Sequence, residues 1–221
     1  MQKKKTPGIP NGTRRDPERT RTAILAAAVE EFASHGFGGA RVDRIAERAR
    51  ANKRMLYYYF GDKSTLFLAA LEDRYAHIRT AETALNLEHL EPRQALQRLV
   101  EFTWAYYLEH PEFMALLISE NLHQGQHVRR SRRVRQMHSP LVERLREVLA
   151  RGEREGIFRS GVDPVQLYIS IAGEGYFYLS NRYTLSRIFG RDLMTPAALA
   201  ERARHSVQMI VNAVRSLPPA R

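Results

Sequence analysis

The chain has 221 residues, enough for one large or two small domains with a substantial core, and 35 Lys/Arg against 24 Asp/Glu give a formal charge of +11. The absence of cysteine excludes disulfides and thiolate chemistry and suits a cytoplasmic protein. No apolar run nears the ~20 residues of a membrane span and no secretory signal is recognisable, so no membrane partner is expected.

Residues 1–15 (MQKKKTPGIPNGTRR) hold five cations, Pro and Gly and almost nothing apolar, and a disordered basic arm is expected there. Residues 1–63 carry 14 Lys/Arg against 7 Asp/Glu, whereas residues 64–221 carry 21 against 17, so the excess charge sits at the N-terminal end and points to a polyanion partner. Leu, Ala, Glu and Arg dominate, Val/Ile/Thr runs are missing, and apolar positions recur at helical spacing. The fold class is therefore expected to be all-α.

Asp16-Pro17 reads as a cap followed by Pro at the first helical position, where its missing N–H costs nothing. Ile24, Leu25, Ala28, Val29 and Phe32 then form an apolar stripe that Gly36 ends. The same punctuation recurs at Ser139-Pro140, Asp163-Pro164 and Thr195-Pro196, with Pro92 and Pro111 as weaker instances. Helices are expected near 17–34, 42–49, 53–60, 63–84, 92–108, 111–123, 127–155, 164–184 and 196–215. Pro140 is expected to kink or divide the seventh, and residues 186–194 (SRIFGRDLM) to form a loop. A helix–turn–helix unit over 16–63 and a larger C-terminal bundle over 64–221 follow, with the boundary inside the fourth helix.

The segment 42–60 holds two helices too short to stand alone. Val42, Ile45, Ala46 and Ala49 give the first its apolar stripe, and Asn52 can cap the second. At 100° per residue, Leu56, Tyr59 and Phe60 share one face of the second helix. Lys53 and Arg54, with Tyr57 and Tyr58 four residues on, lie opposite. A helix–turn–helix whose second helix exposes cations and tyrosine hydroxyls has the chemistry of a DNA-reading element.

The stretch RTAILAAAVEEFASHGF, followed by VDRIAERARANKRMLYYYFGDKSTLFLAAL, resembles the DNA-binding domain of the TetR family of transcriptional regulators. Phe32, Gly36-Phe37, Val42, Ile45-Ala46, Leu56-Tyr57, Tyr59-Phe60, Lys63 and Leu66 carry the likeness over residues 17–71. The resemblance implies that Lys53, Arg54, Met55, Tyr57 and Tyr58 face double-stranded DNA, with Tyr57 and Lys63 on phosphates. Arg54 is the best candidate for a bidentate guanine contact. The chain departs from the family twice. Arg50 stands where the turn usually has Gly, and Ala40-Arg41 replace a capping Thr or Ser, although Arg41 could reach a phosphate instead.

The resemblance further implies a C-terminal helical bundle that encloses a small-molecule effector and builds a homodimer, so that two helix–turn–helix units meet a pseudo-palindromic operator. Leu199, Ala203, Ser206, Ile210 and Val214, with Leu167, Ile171, Gly173 and Gly175 on the preceding helix, are the expected pairing faces, the alternative being internal packing. Trp104, Tyr107, Met114, Leu117, Tyr168 and Tyr176 are candidate effector-pocket residues, with Glu120 and Asn121 among the polar groups on otherwise apolar stretches that would orient a ligand. Alternatively these aromatics are core and the polar groups, Glu174 and Asn181 included, bond each other. Five arginines between 129 and 135 suggest an anion site or a solvated face paired with acids such as Glu143 and Glu147.

No phosphate-binding loop and no nucleophile with a base is recognisable. Glu120-x-x-His123 lacks the second pair a di-iron site needs, and His123 with His127 lacks a third ligand. The chain is expected to have no enzymatic activity, catalytic residue, cofactor or metal. The expected function is a DNA-binding repressor released by an effector. An effector-independent or activating regulator, or a helical small-molecule-binding protein or enzyme that retains the fold, are the alternatives.

Overall fold

A computed structural model describes residues 16–216; the expected basic arm lies outside the described residues. Helix α1 (Pro17–Gly39) starts at Asp16, whose carboxylate accepts the Glu18 N–H at 3.0 Å. It runs past the expected stop at 34 but breaks regular geometry at Gly36 (φ 64°), a left-handed position that a residue without Cβ occupies freely. That break carries Phe37 to α6 (Pro111–Leu122), where the Phe37 N–H donates to Ser119 Oγ at 2.9 Å.

Helices α2 (Val42–Arg48), α3 (Lys53–Phe60) and α4 (Lys63–Thr83) complete the N-terminal unit. Ile24, Phe32, Ile45, Leu56, Phe60, Leu66 and Phe67 pack in one buried cluster, which also contains Leu116 from α6. No side chain of the residue before α2 caps it. Glu31, fully buried on α1, accepts the Arg41 N–H at 3.1 Å instead. The acceptor lost with a capping Thr or Ser is thus supplied from a neighbouring helix.

Helices α5 (Pro92–Glu109), α7 (Arg132–Arg154), α8 (Pro164–Ser180) and α10 (Pro196–Val214) enclose a second core around Leu96, Leu99, Leu145, Val148, Leu167, Ile171 and Ile210. A third cluster joins Ile78 of α4 to Trp104, Tyr106, Tyr107, Phe113, Met114 and Leu179.

Four expectations need correction. The seventh helix starts at Arg132 rather than 127, after a short 3-10 turn at Val128–Arg130. Its cap is Ser131, which accepts the Val134 N–H and donates to Glu72 on α4 at 2.6 Å. Pro140 does not divide α7. It is exposed, so the carbonyl that loses its helical partner can bond water. The helix expected over 164–184 ends at Ser180, where the Asn181 side chain donates to the Phe177 carbonyl at 2.9 Å, and a new helix α9 (Arg182–Ile188) takes the first residues of the expected loop. Finally, Ser206, Ile210 and Val214 of the expected pairing face, with the adjacent Val211, are buried within the chain itself. Gly175 likewise serves internal packing: a Cβ there would stand 3.0 Å from the Tyr107 ring.

Candidate nucleic-acid interface and effector region

Asn52 is exposed, and its side chain accepts the Met55 N–H at 2.9 Å, so it fixes the start of α3. Leu56 and Phe60 then point inward, and Met55 and Tyr59 pack half-buried at the edge of the same core. Tyr57 is 46% and Tyr58 78% exposed, and Tyr58 meets the Tyr59 ring edge-on at 5.2 Å. Lys53 and Arg54 are exposed beside them. Lys53 forms an ion pair with Asp43 of α2, whereas no ion pair engages Arg54 among the described residues. Lys53, Arg54, Tyr57 and Tyr58 thus share one solvent face, and Met55 stands apart from them, turned partly to the core.

Two further cations flank this face. Arg41 is exposed at the start of α2. Lys63 opens α4, and its ammonium lies half-buried 5.0 Å from the centre of the Phe37 ring. Burial lowers its pKa from the ordinary lysine value, and the nearby Glu31 carboxylate opposes that shift. The turn between α2 and α3 keeps the left-handed residue at position 50: Arg50 has φ 51°. It closes on the Arg50 N–H to Glu47 and Ala51 N–H to Ala46 bonds, both 2.9 Å.

The candidate effector residues divide. Trp104, Tyr107 and Met114 are buried among Ile78, Phe113 and Leu179, with Leu117 and Tyr176 packed against them. Burial pushes the Tyr107 hydroxyl far above its usual pKa. Tyr168, half-buried on α8, accepts from Arg79 of α4 at 2.8 Å. Glu120 is buried in a different place and is already saturated. It accepts the His127 N–H and Val128 N–H at 2.8 Å each, and the His127 ring nitrogen Nδ1 lies 2.6 Å from its other oxygen. Asn121 is exposed and donates back to the Leu117 carbonyl at 2.8 Å. Glu174 pairs with Arg202 at 2.7 Å.

The arginines at 129, 130, 132, 133 and 135 are all exposed. Arg133 faces Glu72 at 3.8 Å, while Glu143 pairs with Arg146 instead of this cluster. Sequence reasoning missed Arg79 and Glu82, which are buried together on α4. The signal was present: Glu82 continues the line Leu71, Tyr75, Ile78 at spacings of four and three, so a charge falls on the buried face.

Comparison with known proteins follows the same division. A family model described as "Bacterial regulatory proteins, tetR family" matches residues 24–70, and one described as "Tetracyclin repressor-like, C-terminal domain" matches residues 92–210. The chain is 45% identical over 184 residues to the HTH-type transcriptional repressor NicS of Pseudomonas putida, a match covering 83% of this chain and 87% of that protein. It is 40% identical over 111 residues to the HTH-type transcriptional repressor SCO4008 of Streptomyces coelicolor, covering 50% and 54%. A crystal structure described as that of "putative transcriptional regulator SCO4942 from Streptomyces coelicolor" shares the fold, with a TM-score of 0.67 at 24% identity over 90% of this chain and 99% of that one.

Proposed function

The chain belongs to the TetR family of bacterial regulatory proteins, and from that premise we propose that it is a transcriptional repressor that reads its operator through α3 and releases it on binding a small molecule. The observation that carries the DNA-reading part is the solvent face of α3. A helix of eight residues spends Leu56 and Phe60 on its attachment and leaves two cations and two phenols outside, with Arg54 unengaged by any acid among the described residues.

Arg54 is the base-reading residue in this proposal, because a guanidinium fork matches guanine O6 and N7. Lys53 reads a base or a phosphate once it leaves Asp43. Tyr57, Lys63 and Arg41 contact phosphates, and Tyr58 stands at the groove. Two such units on one operator require two chains. The exposed stripe Val165, Ile169, Gly173 and Phe177, at four-residue spacing on α8, joins Met209 of α10 as the surface that pairs them. The effector binds in the C-terminal bundle and acts by preferring the conformation that does not fit DNA. The operator places the protein's action in the cytoplasm, and no helix among the described residues is long and apolar enough to cross a membrane.

Selection of bound fragments from genomic DNA at ~0.15 M salt identifies the operator, and binding is then compared on operator and random duplexes. Arg54→Ala is expected to lose ~1–3 kcal/mol on the operator alone, whereas Lys63→Ala weakens both and flattens the salt dependence. Equal losses for Arg54→Ala on both duplexes would remove Arg54 from base reading. The absence of any selective retention would remove the repressor assignment altogether.

A further inference from the structure

Arg79, on α4 inside the C-terminal bundle, is 8% exposed. Its Nη2 donates to the Tyr168 hydroxyl at 2.8 Å, and the guanidinium carbon lies 5.4 Å from the centre of the Tyr168 ring. Its Nε finds no hydrogen-bond acceptor. Nη1 forms an ion pair with Glu82 Oε2 at 2.8 Å, without full hydrogen-bond alignment. A buried guanidinium with one nitrogen lacking an acceptor and its charge met by a single carboxylate is costly, and an apolar residue of similar size would hold the fold at least as well. Its Nε calls for a partner that the folded chain does not supply.

A way in exists. A cleft of about 240 Å³ between α4 and α7 is lined by Ala76, Arg79, Glu82, Thr83, Leu141 and Arg144, among others. Arg144 donates to the Thr83 hydroxyl at 3.0 Å on the same rim. Two guanidinium groups therefore face one carboxylate, and Ala76 and Leu141 give the cleft apolar walls.

We propose that this cleft binds a compact organic monocarboxylate, whose carboxylate accepts from Arg79 while its apolar body lies against Ala76 and Leu141. The volume suits a small ligand, and the local surplus of a single positive charge suits a monoanion better than a phosphate dianion, which Glu82 would repel. The site names the chemical class of the effector and rests on the effector reading for its consequence on DNA, though not for binding itself.

Glu82 competes with the ligand for Arg79. Arg79 and Thr83 on its own helix and Arg144 on α7 line the cleft with it, and Tyr106 and Tyr107 on α5 and Tyr168 on α8 lie within its electrostatic reach. Burial raises the Glu82 pKa from 4.5 to about 7 against the pull of Arg79 and Arg144. Protonation of Glu82 frees Arg79 of its countercharge, so the ligand binds more tightly as pH falls from 8 to 6.

Calorimetric titration of the full-length protein with acetate, butyrate and benzoate, each beside its neutral amide, tests the site. At least one acid is expected to bind about tenfold more tightly than its amide, the equivalent of one charged hydrogen bond. Arg79→Gln abolishes that preference, and Glu82→Gln tightens acid binding and removes its pH dependence. Three outcomes overturn the proposal: no acid binds, acid and amide bind alike, or the preference survives Arg79→Gln. Should Arg79→Gln fail to fold, an unchanged affinity in Glu82→Gln overturns it as well. Operator release is measured separately. An acid that binds through Arg79 but leaves DNA bound supports the site and overturns the effector reading, whereas failure of all three acids on a protein that still binds its operator overturns the site alone.

Discussion

Arg50 holds a backbone conformation in which its Cβ crowds the following carbonyl, and the turn between α2 and α3 keeps that conformation regardless. Replacing it with Gly is expected to stabilise the protein by about 1 kcal/mol, seen as a higher urea midpoint with an unchanged slope. No change would mean that the exposed Arg50 side chain recovers the strain elsewhere. This substitution was readable from sequence because the neighbouring motif sets the turn. The inward and outward sides of α3 were equally readable, since Leu56 and Phe60 against Tyr57 and Tyr58 depends only on a fixed angle per residue. Lys63 was not. Its seat over the Phe37 ring depends on a helix break 27 residues earlier, which no local pattern reports.

Among the elements, the junction of α6 and α7 departs furthest from expectation, and Glu120 is the reason. The connection at 123–131 has little regular structure of its own, and one carboxylate ties down two of its backbone N–H groups and a ring nitrogen of His127, which is 2% exposed. Glu120→Ala leaves those donors buried without an acceptor and is expected to destabilise the protein by on the order of 3 kcal/mol, measured by urea unfolding. A variant of unchanged stability but altered effector response would return Glu120 to the ligand pocket. From sequence, Glu120 reads only as a polar residue on an apolar stretch, because its partners lie in a loop whose path is set by tertiary packing. Ser131 and Asn181 were obscured for a related reason. Ser131 starts one helix and Asn181 ends another, by side-chain bonds that compete with the louder signals of Pro140 and the largely apolar run 168–179.

At the scale of the molecule, the helical class and the approximate helix order were legible, since start signals such as Asp163-Pro164 and Thr195-Pro196 recur and each caps its helix. The use of the helix faces was less so. The stripe Ser206, Ile210 and Val214 turns inward, and on α8 and α10 the large apolar residues left outside are Val165, Ile169 and Phe177 with Met209. Periodicity identifies an apolar face without saying whether its partner is the same chain or a copy. Ile169→Asp is expected to convert a dimer to a monomer in sedimentation experiments and to weaken operator binding while the helix content stays the same. Persistence of the dimer would move pairing to another surface, such as Tyr183, Ile188 and Phe189 around α9. The presence of Leu116 in the buried cluster of the N-terminal unit has a practical corollary for chimeras. A helix–turn–helix excised at residue 71, so that it keeps Leu66, Phe67, Ala70 and Leu71 of α4, and grafted onto another regulator's bundle would still arrive with a hole the size of a leucine side chain. Exchange of DNA-reading units between relatives must therefore carry a matching residue on the recipient's α6, and a truncated N-terminal fragment should be judged by its side-chain packing rather than by its helix content.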